Sequence, residues 1–226
     1  MERRPEPELM DSPAQTAAYA AADFADANTL FTETFAALRS ALPVHGVLYD
    51  LGCGPADITQ RLARLLPGWR LIGLDAGPNM LAAAAEAVHC APDREDLSRR
   101  IEFQLRHLPD SSLPRGAAGA VVSNSLLHHL PDPRALWQTV LHLAAPGAVV
   151  QVMDLERPPD NAAVKALVER YAGDAPAVLR DDFDHSLRAA YRPAEVTAQL
   201  AAAGLGWLAV RRVSDRHWLA QGIRPV

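Results

Sequence analysis

The sequence predicts a doubly wound α/β fold, a mainly parallel sheet covered by helices on both faces. Three observations carry this. Between Val44 and Asp154, short runs that are apolar almost throughout alternate with segments of helical period, as strands buried on both faces require. The run 47–51, which carries Asp50 at its carboxyl end, opens through a glycine turn into a helix, which puts a ligand-type turn at a strand's carboxyl end. The last two strand-like runs are separated by Asp215 and Arg216 alone. A parallel return needs a crossover of a dozen or more residues, so these two strands form an antiparallel hairpin.

Residues 1–13, MERRPEPELMDSP, are rich in proline and charge and read as a flexible tail. Residues 14–226 read as a single domain, since 226 residues suffice for one full core but not for two large ones. Over 14–43, Tyr19, Phe24, Leu30, Phe31, Phe35 and Leu38 recur at mostly helical separations, giving one or two helices ahead of the core. Strands follow at 47–51, 69–75, 101–105, 120–124 and 148–155, with helices at 58–66, 79–88 and 133–145. After the fifth strand the alternation breaks. Residues 156–192 hold two helical patterns, the second with Val178, Leu179, Phe183, Leu187 and Tyr191 on one stripe; inserted at the ligand end of the sheet, they form a helical cap. A helix over 193–203 closes on Gly204 as a C-cap, and the hairpin strands occupy 207–214 and 217–223.

A net charge of −5 argues against the clustered basic surface that nucleic acid requires, so no nucleic-acid partner is expected. The two cysteines, Cys53 and Cys90, give neither a disulfide framework nor a metal-ligand spacing; no metal is expected, and a reducing compartment fits. No apolar h-region follows the first basic residues, and no apolar run reaches membrane-spanning length. The expectation is a soluble cytoplasmic protein without a membrane partner, either monomer or homodimer.

The turn DLGCGP at 50–55 departs from a dinucleotide site, whose third glycine would stand at 57; Asp57 stands there and repels phosphate at a helix N-terminus. No GxxxxGK[ST] follows either. Asp50, at the strand's end, suits a cationic group such as an α-amino group. Asp75 ends the second strand, 75 − 54 = 21 residues beyond Gly54, where a carboxylate accepts from both ribose hydroxyls. The ligand implied has a ribose and a cation but no pyrophosphate, a description that S-adenosylmethionine meets.

Four motifs in order, DLGCGP at 50–55, GLDAGPNML at 73–81, SNSLLHHLPDP at 123–133 and LAAPGAVVQVMD at 143–154, make the chain resemble the class I S-adenosylmethionine-dependent methyltransferases, especially their small-molecule group. With the hairpin, the resemblance covers 44–155 and 193–223, about two thirds of the chain. It implies a Rossmann-like seven-stranded sheet with an antiparallel last strand and the cofactor across the carboxyl ends of strands one and four. By the same resemblance, Asp50, Gly52 and Gly54 line the methionine portion with Cys53 packed between them, Asp75 takes the ribose, and Ala76 and Met80 surround the adenosine. Asn124, with Ser125 beside it, approaches the methionine portion. Arg106 and His107 stand where relatives often carry Gly-Asp near the adenine, so that edge of the pocket differs.

The activity implied is methyl transfer to a small-molecule acceptor, releasing S-adenosylhomocysteine. The alternatives are methylation of RNA or protein and a non-catalytic S-adenosylmethionine-binding regulatory or partner protein; a nicotinamide dehydrogenase is opposed by Asp57. Transfer from a sulfonium is an in-line displacement needing alignment and exclusion of water, and a base only if the nucleophile arrives protonated. His128 and His129 follow the fourth strand, either as base or substrate contact or as a turn feature independent of substrate. Tyr19, Asp23 and Phe24 either meet the ligand or dock an amphipathic helix. Asp182, His185, Ser186, Arg188 and Tyr191 of the cap either line a substrate pocket or form a solvated face. Arg216, His217 and Trp218 either close the acceptor site or serve the hairpin.

Overall fold

The computed structural model describes residues 1–6 and 10–226. Strands β1 (Gly46–Leu51), β2 (Trp69–Asp75), β3 (Ile101–Leu105), β4 (Ala118–Asn124), β5 (Ala144–Leu155), β6 (Ala209–Arg212) and β7 (His217–Ile223) form one sheet in the order β3-β2-β1-β4-β5-β7-β6. The pairings from β3 through β5 are parallel, and β7 runs antiparallel to both its neighbours, as expected. Chain order reverses between β1 and β4, so a crevice opens at their carboxyl ends.

Side chains alternate across the sheet with the period of two that strands impose. Tyr49, Leu51, Val121, Val150 and Val152 face α6 (Arg134–Leu143) and α9 (Pro193–Ala202), which contribute Trp137, Val140, Val196 and Leu200. Leu48, Ala120, Val122, Val149 and Met153 face the other way, toward α2 (Ala25–Ala36) and α3 (Asp57–Leu65), through Phe31, Phe35, Ile58 and Leu62. The helix α2 is also tied by polar bonds. Gln151 donates to the carbonyl of Phe31 at 2.8 Å, and Gln221 donates to the carbonyl of Thr34 at 2.9 Å and to Gln151 Oε1 at 2.6 Å. The buried amide of Gln151 and the half-buried one of Gln221 are thereby satisfied by fixing one helix.

The cap is the helix pair α7 (Asn161–Ala172) and α8 (Ala177–Ala189), with Val164 and Leu187 buried against Leu155 and Ala190. Ahead of the core, α1 (Pro13–Ala21) starts at Ser12, whose hydroxyl accepts from Gln15 N at 3.2 Å. Asp11 accepts from Asn79 N and Met80 N at 3.0 and 3.1 Å, capping α4 (Pro78–His89).

Four features differ from the sequence reading. The short helix α5 (Arg94–Arg100) was not expected, because the charge density of REDLSRR shows no apolar period and only Leu97 of α5 is buried. The strand β5 begins at Ala144, not at 148, and α6 ends correspondingly early. The edge strand β6 is four residues long, and Val213 to Arg216 belong to its turn. Finally, the opening residues do not hang free. Arg4 N donates to the carbonyl of Arg188 at 3.0 Å, and Arg3 donates to the carbonyls of Ala189 at 2.5 Å and His128 at 3.2 Å. The guanidinium of Arg3 lies 4.1 Å from the centre of the Tyr191 ring. The last carbonyls of α8 have no partner within their helix, and an arginine with five donors supplies one. The rest of the expected tail includes Pro7 to Leu9, which lie outside the described residues.

Candidate active site

The glycine turn is built by backbone bonds to the end of β2. Gly52 N and Cys53 N both donate to the carbonyl of Leu74, at 2.7 and 3.0 Å. Gly52 has φ +72°, a conformation that favours glycine, and a Cβ there would come within 2.8 Å of Leu126 Cδ1. Gly54 N donates to Asp75 Oδ2 and Gly77 N to Asp75 Oδ1, both at 2.8 Å. Each carboxylate oxygen keeps a lone pair for a further donor. Burial pushes the Asp75 pKa above its ordinary value against these two bonds.

Asp50 is 1% exposed and accepts from Thr59 Oγ1 at 2.6 Å. Burial, with the charge of Asp75 adding and the Thr59 bond opposing, pushes its pKa up to about 7. At the end of β4, Ser125 holds φ 55°, a left-handed conformation that costs a residue with a side chain, and Asn124 Oδ1 is buried without a partner. Strain and an orphaned acceptor thus meet at the switch point. Asp50, Gly52, Cys53, Gly54, Asp75, Met80, Asn124 and Ser125 line one cleft together with Tyr19 and Phe24. Burial pushes the Cys53 thiol up, which keeps it protonated and suits a packing role. Ala76, Arg106 and His107 do not line the cleft. Arg106 turns to Asp110 at 3.3 Å, and His107 is exposed.

Beside the cleft, a chamber of about 540 Å³ lies between the cap and the α1–α2 segment. Phe24, Leu155, Ala172, Pro176, Leu179 and Phe183 supply apolar wall, while Asp23, Asp26 and Asp182 bring carboxylates. Asp182 Oδ1 accepts from Gln15 at 3.2 Å and Oδ2 is buried without a partner. The guanidinium of Arg216 sits 3.4 Å from the centre of the Tyr171 ring and pairs with Asp215 at 3.2 Å. Cleft and chamber share Tyr19, Phe24, Asn28, Asn124, Ser125 and His129.

The two histidines occupy a 3-10 turn, Leu127–His129, after β4. His128 Nδ1 is 2.5 Å from Asp154 Oδ1, and the ring centres of His128 and His129 are 4.1 Å apart. His129 Nδ1 lies in ion-pair contact with Glu6 Oε2, without the alignment of a hydrogen bond, and Glu6 Oε1 accepts from Ser186 at 2.7 Å. Burial works against charge on Glu6, but the neighbouring His129, the charge that His129 and His128 carry when protonated, and the Ser186 bond bring its pKa down to about 2. Donor atoms of Glu6, His128 and His129 lie within 4.8 Å of one another, the one His/Cys/Asp/Glu group of that kind among the described residues. His217 also lines the chamber, and burial, with Arg216 nearby, pushes its pKa down to about 4.

Among the cap residues, Asp182 and Ser186 line the chamber, whereas His185, Arg188 and Tyr191 do not. His185 is exposed, Arg188 pairs with Asp184 at 2.5 Å, and Tyr191 lies under Arg3. Trp218 is fully buried in the core, the structural reading of that residue. Sequence reasoning missed Glu6, Asn28, Asp154 and Tyr171. Asp154 ends a motif that was already in view; Glu6 sits in a segment whose composition points to disorder.

Residues 49–150 match a family described as methyltransferase domain. The trans-aconitate 2-methyltransferase of Mycobacterium tuberculosis (strain ATCC 25177 / H37Ra) is 37% identical over 123 residues, 54% of this chain and 42% of that protein. The ubiquinone biosynthesis O-methyltransferase of Psychrobacter cryohalolentis is 28% identical over 184 residues, 77% of this chain and 66% of that protein. The matched region thus spans less than half the length of the first of these relatives. Among solved structures, a plantazolicin methyltransferase superposes with TM-score 0.68 at 13% identity, over 94% of this chain and 91% of that one. A SAM-dependent methyltransferase from Aquifex aeolicus superposes with TM-score 0.63 at 16% identity, over 94% and 98%. At these identities the superpositions show a common fold.

Proposed function

We propose that this chain, whose residues 49–150 match a methyltransferase-domain family, is a class I S-adenosylmethionine-dependent methyltransferase that moves a methyl group from S-adenosylmethionine to a small-molecule acceptor. The observation that carries the proposal is the shared wall of cleft and chamber at Asn124, Ser125 and His129, where a methyl donor on one side meets an acceptor on the other. The cleft suits the cofactor: Asp50 favours a cationic amino group, Asp75 has lone pairs for ribose hydroxyls, and the orphaned Asn124 Oδ1 offers a further acceptor.

The chamber's volume lies within the roughly 300–1,000 Å³ of small-molecule pockets, and its cover of α1 and cap helices favours a compact acceptor over RNA or protein. The relatives' names, trans-aconitate in one and ubiquinone biosynthesis in the other, also point to small organic acceptors. No described helix is long and apolar enough to cross a membrane. Isothermal titration with S-adenosylmethionine and S-adenosylhomocysteine tests the cofactor, and release of S-adenosylhomocysteine on incubation with metabolite pools tests the transfer. Binding without turnover on any pool would favour a regulatory protein, and no binding would end the proposal.

A further inference from the structure

The junction of cleft and chamber is where an acceptor atom must lose any proton it carries. Two titratable side chains line both spaces, Tyr19 and His129. Burial, together with the charges of Asp154, Asp75 and Asp57, pushes the Tyr19 phenol up to about 12, so at neutral pH it holds its proton and cannot take another's. The cleft carboxylates Asp50 and Asp75 and the chamber carboxylates Asp23, Asp26 and Asp182 each line only one of the two spaces. His129 remains.

His129 does not stand alone. Its Nδ1 faces Glu6 Oε2, and the other oxygen of Glu6 is fixed by the Ser186 hydroxyl at 2.7 Å. Glu6 is itself held by its own segment, because Arg3 and Arg4 bond to the carbonyls of Ala189, His128 and Arg188. A carboxylate at Nδ1 selects the tautomer with the proton there, leaves a lone pair on Nε2, and stabilises the imidazolium formed when Nε2 takes a proton. The tilted ring of His128 lies against that of His129, centre to centre at 4.1 Å, with Asp154 behind, and Tyr19 from α1, Asp182 from α8, and Arg216 and His217 from the hairpin line the same chamber.

We propose that His129 is the base of the transfer reaction, that Glu6 is its positioning residue, and that the acceptor is a phenol-type hydroxyl. This rests on the methyltransferase reading above. A base is needed only when the nucleophile arrives protonated, which sets a hydroxyl apart from a carboxylate. The carboxylates Asp23, Asp26 and Asp182 also disfavour an anionic acceptor, while the rings of Tyr19, Phe24, Tyr171 and Phe183 suit a planar aromatic one. In the step, the hydroxyl oxygen bonds to the methyl carbon as the methyl–sulfur bond breaks and its electron pair stays on sulfur. The hydroxyl proton passes to His129 Nε2 and then to solvent, so a phenol and the sulfonium give a methyl ether, a thioether and one proton.

The first test does not depend on turnover. In protein labelled with 15N-histidine and saturated with S-adenosylhomocysteine, long-range nitrogen–proton correlation reads the His129 tautomer. The Nδ1–H form is expected in the native protein, with a shift toward Nε2–H in Glu6→Gln. An Nε2–H native tautomer, or no change in Glu6→Gln, overturns the pair.

The second test supplies catechol, aniline and thiophenol with S-adenosylmethionine. Transfer to catechol is expected, falling about 100-fold or more in His129→Ala and roughly tenfold in the kcat of Glu6→Gln, with S-adenosylhomocysteine affinity unchanged and partial recovery in Glu6→Asp. Preferred transfer to aniline or thiophenol overturns the acceptor class, as does no transfer to catechol by protein that binds S-adenosylhomocysteine; both leave the methyltransferase reading standing. A rate abolished by EDTA and restored by Zn2+ would make Glu6, His128 and His129 a metal site and overturn the base. Failure to bind S-adenosylhomocysteine would remove the underlying reading itself.

Discussion

His128 Nδ1 stands 2.5 Å from Asp154 Oδ1, with each side chain 2% exposed. Asp154 also accepts the N–H of His128 at 3.2 Å and its neighbour Leu155's N–H at 2.6 Å, so one carboxylate fastens the end of β5 to the turn that carries both histidines. Burial opposes a proton on His128, but the charge and hydrogen bond of Asp154 outweigh it and hold the pKa above the ordinary 6.5.

Asp154→Ala is expected to lose about 3–5 kcal/mol of stability in urea unfolding, because it leaves a buried partner without its counter-charge. The pH dependence has a definite sign. A histidine whose pKa is raised on folding contributes stability that is full below 6.5 and is lost as pH rises through the raised value. The gap between native and variant protein is therefore widest at pH 5.5 and narrows by pH 9. A gap that grows with pH would contradict the pairing.

Asp50 gives a second pH signature. Its pKa of about 7, raised mainly by burial, means that the folded protein keeps a proton which the unfolded chain loses near 3.8. The resulting contribution to ligand-free stability is full below 3.8 and is lost as pH rises through about 7. A cationic amino group beside Asp50 reverses the preference and drives the proton off. Affinity for S-adenosylhomocysteine should then climb as pH rises toward 7 and level off above, with proton release visible by calorimetry in buffers of different ionisation heat. In Asp50→Asn both the climb and the proton release should vanish; a flat native profile would move the amino group elsewhere.

Much of this was legible because the sheet strands are buried on both faces, which leaves apolar runs such as 47–51 and 69–75 unmistakable and fixes where Asp50 and Asp75 end them. The cleft followed from those two ends and Asn124. The acceptor side was harder. Phe183 and Tyr191 share a helical stripe in the sequence, yet Phe183 lines the chamber and Tyr191 lies under Arg3, a division made by the neighbouring N-terminal segment. That segment reads as disordered because its fixing comes from carbonyls at the end of α8, partners more than 100 residues away with no local pattern. Arg106 and His107 were placed by resemblance at a position where this chain carries different residues, and the bond to Asp110 that turns Arg106 away is particular to this loop.

The seat of α2 can be tested by stability alone. Phe31 is fully buried against the sheet face that also carries Leu48 and Val149, and its carbonyl accepts from Gln151. Phe31→Ala removes a ring that neighbours cannot replace and should cost about 3–5 kcal/mol. Because Asn28, on the same helix, lines both cleft and chamber, Phe31→Ala should also weaken S-adenosylhomocysteine binding, whereas a loss of stability without loss of affinity would uncouple α2 from the site.

Asp75 separates cofactor recognition from turn building. Its two oxygens accept from Gly54 N and Gly77 N, each at 2.8 Å, and their remaining lone pairs point the ribose assignment. Asp75→Ala removes both functions. Hydrogen bonds to a charged group contribute about 1.5–3 kcal/mol each, so losing one to a ribose hydroxyl weakens binding by at least about tenfold. Asp75→Asn keeps one carbonyl acceptor but presents an NH2 to a backbone N–H, so it should retain part of the fold support and still lose much of the affinity. Adenine alone, which has no ribose, provides the control: its weak binding should be equal in native and Asp75→Asn protein. Equal S-adenosylhomocysteine affinity in native and Asp75→Ala protein would confine Asp75 to holding the glycine turn.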